Sequence, residues 1–149
     1  MKKNIKVIPL MLAFVIMLLL PGCSVRKPVS AANFKKEAEK EGFTVSEKTS
    51  SDVGAESYLI ASKKGSDTKI VYLAFGSASS AHDGYTAAIG NLIPSGGKNV
   101  VDSDTYNKYT VSKGELYYAI TRMDDTVIYC SAVTSQKDEA DNFMKAVNY

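Results

Sequence analysis

The first 23 residues constrain this chain more than anything that follows, because they decide how much of it is left to fold. A basic start, with Lys2, Lys3 and Lys6, runs into an apolar stretch from Val7 to Leu20, and the segment ends in Leu20-Pro21-Gly22-Cys23. The apolar stretch is about 14 residues long, short of the roughly 20 that a helix needs to cross a bilayer. It matches the core of a secretory signal peptide in length. Residues 1–22 are therefore expected to be removed, and taking 22 from 149 leaves 127, an ordinary length for one domain.

The end of the segment is more specific. Leu20-Pro21-Gly22-Cys23 resembles the lipobox of bacterial lipoproteins, with Pro21 standing where Ala or Ser is commonest. The resemblance covers these 23 residues and implies cleavage before Cys23, whose thiol then carries diacylglycerol. Two acyl chains anchor a protein stably where one does so marginally. An ordinary secretory signal with an incidental cysteine, or an uncleaved anchor, are the alternatives. Residues 23–30 read as a tether, whose last seven residues span at most about 25 Å. A domain over 31–149 follows.

Removing Lys2, Lys3 and Lys6 also changes the charge. The whole chain has 18 basic and 16 acidic residues, so the mature part has 15 against 16. With no basic run, that balance predicts no electrostatic footprint for nucleic acid or for an anionic membrane surface. Only two cysteines are present. With Cys23 acylated, Cys130 has no partner, and its setting in Val127-Ile-Tyr-Cys-Ser-Ala-Val133 is that of a buried thiol.

The pattern along the mature chain predicts α+β, an antiparallel meander sheet with amphipathic helices packed on it, in the order α-βββ-α-ββββ-α. Ser30 is a helix cap, Phe34 and Ala38 form a thin apolar face, and Gly42 stops a helix over 31–41. Strands are expected over 43–47, 57–62 and 69–75, the last apolar on both faces and so central. Ser79 or Ser80 caps a second helix, with Ala81, Tyr85, Ala88, Ile89, Leu92 and Ile93 on one side and Gly84 and Gly90 marking close packing. A short strand near Val100 precedes strands over 106–113, 115–123 and 126–133, joined by tight turns. Ser135 with Asp138 starts a last helix. The segments 69–89 and 126–147 share a strand, a central tyrosine (Tyr72, Tyr129) and a helix, which fits either a degenerate internal duplication or convergence.

Three stretches carry a wider resemblance: Phe34-Lys-Lys-Glu-Ala-Glu-Lys-Glu-Gly-Phe-Thr-Val45, Tyr106-Asn-Lys-Tyr-Thr110 and Arg122-Met-Asp-Asp-Thr-Val-Ile-Tyr129. Their layout is similar to that of small, functionally uncharacterised surface lipoproteins of gut Firmicutes. It implies a location on the outer face of a Gram-positive cell membrane and no particular functional residues.

Catalytic chemistry is sparse. His82 is the only histidine and lies beside Asp83, too few ligands for the usual zinc set. No serine stands in a nucleophile-elbow motif. The pairs Asp102/Asp104 and Asp124/Asp125 lack EF-hand spacing and read as turn residues. Gly76, Gly96 and Gly97 fit neither a dinucleotide fingerprint nor a P-loop. No cofactor and no metal are expected. Tyrosine is unusual, nine in the chain with no tryptophan. Tyr106, Tyr109, Tyr117, Tyr118 and Tyr129 crowd the meander, and Tyr117 and Tyr118 must face opposite ways.

The expectation is therefore a non-enzymatic, membrane-anchored, extracytoplasmic binding module. Its partner is a protein, peptide or glycan, met through Tyr106, Tyr109, Tyr117 or Tyr118, and not nucleic acid. An accessory subunit of an envelope or transporter complex is the alternative. An envelope enzyme using His82, Asp83 or Cys130 ranks third.

Overall fold

The computed structural model describes residues 26–149. The signal segment 1–22 and Cys23 lie outside the described residues. Helix α1 (Ala31–Lys40) is followed by strands β1 (Thr44–Glu47), β2 (Ser57–Ser62) and β3 (Lys69–Ala74). Helix α2 (Ala78–Leu92) leads to β4 (Lys98–Asp102), β5 (Tyr106–Lys113), β6 (Leu116–Met123) and β7 (Thr126–Val133), and helix α3 (Lys137–Ala146) ends the chain. This is the expected α+β order. Among the described residues, no helix is long and apolar enough to cross a membrane.

All seven strands form one open antiparallel sheet in the order β1-β2-β3-β7-β6-β5-β4. Two meanders meet at its centre, where Ile70 pairs with Cys130 and Tyr72 with Ile128. The outer turns are short for a physical reason. Lys113 pairs with Leu116 across Gly114 and Met123 pairs with Thr126 across Asp124, and both loop residues are left-handed, at φ 61° and 47°. Such turns match the twist of the strands they join. Near the β4 edge the register shifts between Asn99 and Val101, leaving Val100 exposed.

Alternation along the strands gives the sheet two apolar faces. On one, Phe34 and Ala38 of α1 and Ala140, Phe143 and Met144 of α3 bury Ile70, Tyr72, Tyr117, Ile128 and Cys130. The ring of Phe34 lies 5.0 Å from Tyr72 and 5.5 Å from Phe143, edge-on to the latter. On the other, Ala81 and Tyr85 of α2 cover Phe75, Val111, Ile120 and Val127. This placement bears on the two similar strand-helix segments. A rotation that exchanges the antiparallel neighbours β3 and β7 keeps the faces of the sheet, yet α2 and α3 lie on opposite faces. The helices thus break the twofold that the two paired strands alone would obey, and the likeness along the chain does not extend to a symmetric arrangement.

Arg122 is 1% exposed and ties the loops at one end of the sheet. Its Nε donates to Asn107 Oδ1 at 2.6 Å, its Nη1 to the Asp124 carbonyl at 3.2 Å, and its Nη2 to the Asp104 carbonyl at 2.7 Å and the Ser103 carbonyl at 3.3 Å. Asn107 Nδ2 in turn donates to Asp102 Oδ1 at 2.7 Å. Asp124 and Asp125 form a turn and Asp104 lies in the β4–β5 loop, as read, but Asp102 ends strand β4 opposite Asn107, because the ladder runs one residue further than its acidic character suggests. The cation between these loops is the guanidinium, held by their backbone carbonyls.

Helix starts differ from expectation. Ser77, not Ser79 or Ser80, caps α2, its hydroxyl accepting from the Ser80 N–H at 3.1 Å, because Ser79 and Ser80 already lie in the first turn. Residues 134–136 form a 3-10 turn, so α3 begins at Lys137 rather than Ser135. Gln136 is held by the Asp67 N–H, which donates to its Oε1 at 2.9 Å.

The two helix glycines separate as well. A methyl at Gly84 would stand 2.6 Å from the Phe75 ring, whereas one at Gly90 would meet nothing within 4 Å. Close packing thus explains Gly84 alone. Gly90→Ala is expected to stabilise the fold by roughly 1 kcal/mol. Gly84→Ala is expected to destabilise it, since overpacking costs about 1–3 kcal/mol. Urea-unfolding midpoints that moved the same way for both variants would contradict this account.

Candidate functional site

Beside α3, on the face that α1 and α3 cover, the sheet leaves a cleft of about 480 Å³. Its floor is Lys108, Thr110 and Ser112 of β5 with Tyr117 of β6, since residues two apart on a strand share a face. Its wall is a single stripe of α3, Lys137, Asp141 and Lys145, spaced four apart so that they stack along the helix. Gly96, Gly97 and Lys98, leading into the edge strand β4, form the rim. Ala140, Phe143 and Met144 hold α3 in place by being buried on its other side.

The charges converge without balancing. Four lysines line the cleft with one carboxylate, Asp141. That carboxylate is already engaged: the Tyr117 hydroxyl donates to Oδ1 at 2.8 Å and Lys137 Nζ pairs with Oδ2. Burial pushes the Asp141 carboxyl up, but the Lys137 and Tyr117 hydrogen bonds outweigh it and hold it below the ordinary range. Lys137 also sits 4.8 Å over the Tyr117 ring. Among the described residues, none of Lys98, Lys108 and Lys145 is in an ion pair. Burial lowers the Lys108 ammonium from its ordinary value, Asp141 opposes that, and Arg26, Lys137 and Lys145 add to it. A half-buried lysine among unneutralised cations is a place for an anion.

The four tyrosines expected to form a binding surface are not brought together. Tyr106 and Tyr117 point to the α1/α3 face and Tyr109 and Tyr118 to the α2 face. Tyr117 is buried under α3. The Tyr106 hydroxyl accepts from Arg26 Nη1 at 2.9 Å, and the guanidinium lies 5.1 Å over its ring. The Tyr109 hydroxyl accepts from the Gly97 N–H at 2.8 Å, and its ring fills the space a side chain at 97 would need. Tyr118, half-buried like Tyr106 and Tyr109, packs on the α2-face core and is stacked 6.4 Å from Tyr129.

The residues considered for an enzyme are also apart. His82 and Asp83 are exposed on α2, while Cys130 is fully buried on the opposite face of the sheet. Burial pushes the Cys130 thiol up to about 12, with Asp141 and Glu139 adding to the shift, so it is protonated at neutral pH. Among the described residues no three His, Cys, Asp or Glu side chains gather as a metal set.

The lysine cleft was missed in the sequence because charge was counted along the chain. Lys137, Asp141 and Lys145 were legible as one helical stripe. That β5 would bring Lys108 under that stripe depends on α3 folding back across the sheet.

No protein-family model matches this chain, and no curated protein matches it. Among solved structures, the extracellular domain of PknH from Mycobacterium tuberculosis is similar at a TM-score of 0.32 and 13% identity, over 76% of this chain and 69% of that one. A likeness at that level leaves the function to be read from the site itself.

The Lys108 environment makes a stability prediction. Its folded value lies below the ordinary 10.5, so holding its charge destabilises the fold at neutral pH, and that cost fades as pH rises toward 10.5. Lys108→Gln is expected to raise the urea midpoint at pH 7, by under about 1 kcal/mol after solvent screening. The gain should shrink above pH 10. A destabilised variant at pH 7 would show that Lys108 is not repelled by its surroundings.

Proposed function

We propose that this chain is a lipid-anchored, extracytoplasmic and non-enzymatic binding module, and that its ligand is anionic and enters the lysine cleft beside α3. The observation that carries the ligand class is that Lys98, Lys108 and Lys145 face a cavity whose single carboxylate is already occupied by Lys137 and Tyr117. A phosphate or carboxylate group placed there meets several ammonium donors in a partly desolvated site, where charge-assisted hydrogen bonds are strongest. The backbone at Gly96 and Gly97 borders the same space. A peptide, glycan or protein partner then binds through its acidic or phosphorylated groups rather than through stacked tyrosines.

The anchor rests on residues 1–23, with a signal-like apolar core and a cysteine in lipobox position. The non-enzymatic reading is supported by the separation of His82, Asp83 and Cys130.

Two measurements test this. Metabolic labelling with an alkyne fatty acid should tag the wild-type protein and not Cys23→Ala; equal labelling of both would remove the anchor. Titration with inorganic phosphate, followed by amide shifts in an NMR spectrum, should move Gly97 and Lys108 in a saturable way. Lys108→Gln, which the stability argument expects to fold, should lose that response. Shifts that do not saturate, or that survive the substitution, would overturn the assignment of the cleft.

A further inference from the structure

The described part of the tether, residues 26–30, does not hang free of the domain. The Val29 N–H donates to the Tyr149 hydroxyl at 3.3 Å, and the Tyr72 hydroxyl donates to the Val29 carbonyl at 3.0 Å. Tyr149 is itself buried and hydrogen-bonded to Thr126. The chain is thereby led out past Arg26, which lies on Tyr106. Tyr106 and Lys108 are two apart on β5 and share a face. The exit point of the tether and the Lys108 end of the cleft floor are therefore neighbours. Cys23 is three residues upstream of Arg26, a reach of roughly 10 Å at most.

Basic residues continue around the exit. The near-balanced charge, from which no footprint for a membrane surface is expected, hides a local cluster, because net charge averages over positions that the fold separates. A second cleft, of about 340 Å³, lies across the C-terminal turn of α3 from the first and is lined by Lys27, Lys36, Asn33, Glu37 and the segment 146–148. Lys145, the residue before that segment, lines the first cleft. The carboxylates that line the two clefts are both engaged, Glu37 by Lys40 and Asp141 by Lys137, while Asp124 and Asp125 of the β6–β7 turn stand at the same end of the sheet, near Tyr149. On the α3 side of the tether the exposed cations are Arg26, Lys27, Lys36 and Lys145, with Lys108 half-buried behind them.

Resting on the anchored, anion-binding reading above, we infer that the anions met by this surface are phosphate headgroups of the membrane that holds Cys23, so that the domain lies with its α3 C-terminal turn and tether side against the bilayer. The geometry matches the range of the force. Attraction between basic residues and an anionic surface falls off within a Debye length, about 8 Å at physiological salt, and the three-residue reach from Arg26 to Cys23 is at most comparable to that length. The acyl chains already retain the protein, so the lysines act on orientation: they select which side of the domain faces lipid. The opposite end of α3, with the β2–β3 hairpin, points away and stays open to the surroundings.

The test uses the full lipidated protein in three vesicle preparations: phosphatidylcholine alone, phosphatidylcholine with inorganic phosphate in solution, and phosphatidylcholine mixed with phosphatidylglycerol. Lysine acylation by a water-soluble reagent is followed residue by residue by mass spectrometry, with Lys64 in the β2–β3 hairpin as internal reference. Phosphatidylglycerol is expected to slow labelling of Lys36, Lys98 and Lys145 relative to Lys64 by about fivefold or more, an effect weakened by high salt. That result supports the inference whether or not free phosphate also protects. Protection by free phosphate without protection by phosphatidylglycerol would overturn the inference and leave the anion-binding function standing. Protection by neither would overturn both. The variant Lys36→Glu with Lys145→Glu, both exposed positions, should lose the lipid-dependent protection of Lys98, and unchanged protection would count against the inference.

Discussion

The pairing of β3 with β7 is the contact on which the other features depend. It joins residues almost sixty apart in the chain, the most distant strand pair in the sheet, and converts two meanders into one surface. Closing so long a loop costs chain entropy before any contact offsets it. The offset is the burial of Ile70, Tyr72, Ile128 and Cys130 on one face and of Val127 on the other. Because β3 leads to α2 on one face and β7 leads to α3 on the other, this seam also sets which helix covers which side.

That arrangement creates the cleft. Helix α3 comes from the central strand β7, and α1 shares its face, so together they cover the middle of the sheet and part of one flank. The β4–β5 edge on the same face is left uncovered, and it carries Lys98 and Lys108. The charged stripe of α3 borders this gap because its apolar stripe is committed to the core. A domain with nearly balanced charge thus holds a concentrated positive region. Of the nearby acids, Glu139 is engaged outside the cleft by Lys63 and Ser66 and Asp102 by Asn107, and Asp141, inside it, by Lys137 and Tyr117.

Arg122 shows a related economy at the other end of the sheet. Its donors go to backbone carbonyls of two turns and to Asn107, not directly to a carboxylate. A buried guanidinium is tolerable when its donors are met and a negative charge stands one hydrogen bond away, here Asp102. The turns around it are therefore cross-linked, although neither their acidic residues nor their spacing resembles a metal loop.

Local features were readable from the chain because they depend on neighbours in sequence. The strands 57–62, 106–113 and 126–133 follow from alternation and tight turns, and the cap at Ser30 from one hydroxyl within reach of Asn33. The opposite orientation of Tyr117 and Tyr118 follows from strand geometry alone. What could not be read was any quantity that depends on two distant segments: that Tyr109 would be consumed by Gly97, that α2 and α3 would take opposite faces, or that lysines of β4, β5 and α3 would face one space. Periodicity specifies which side of an element is buried, whereas the identity of the element facing it is decided by long-range packing, which leaves no trace in local order. By itself the sequence determined the element types, their order and the lipoprotein-like start; only the tertiary structure decided which charges and rings meet.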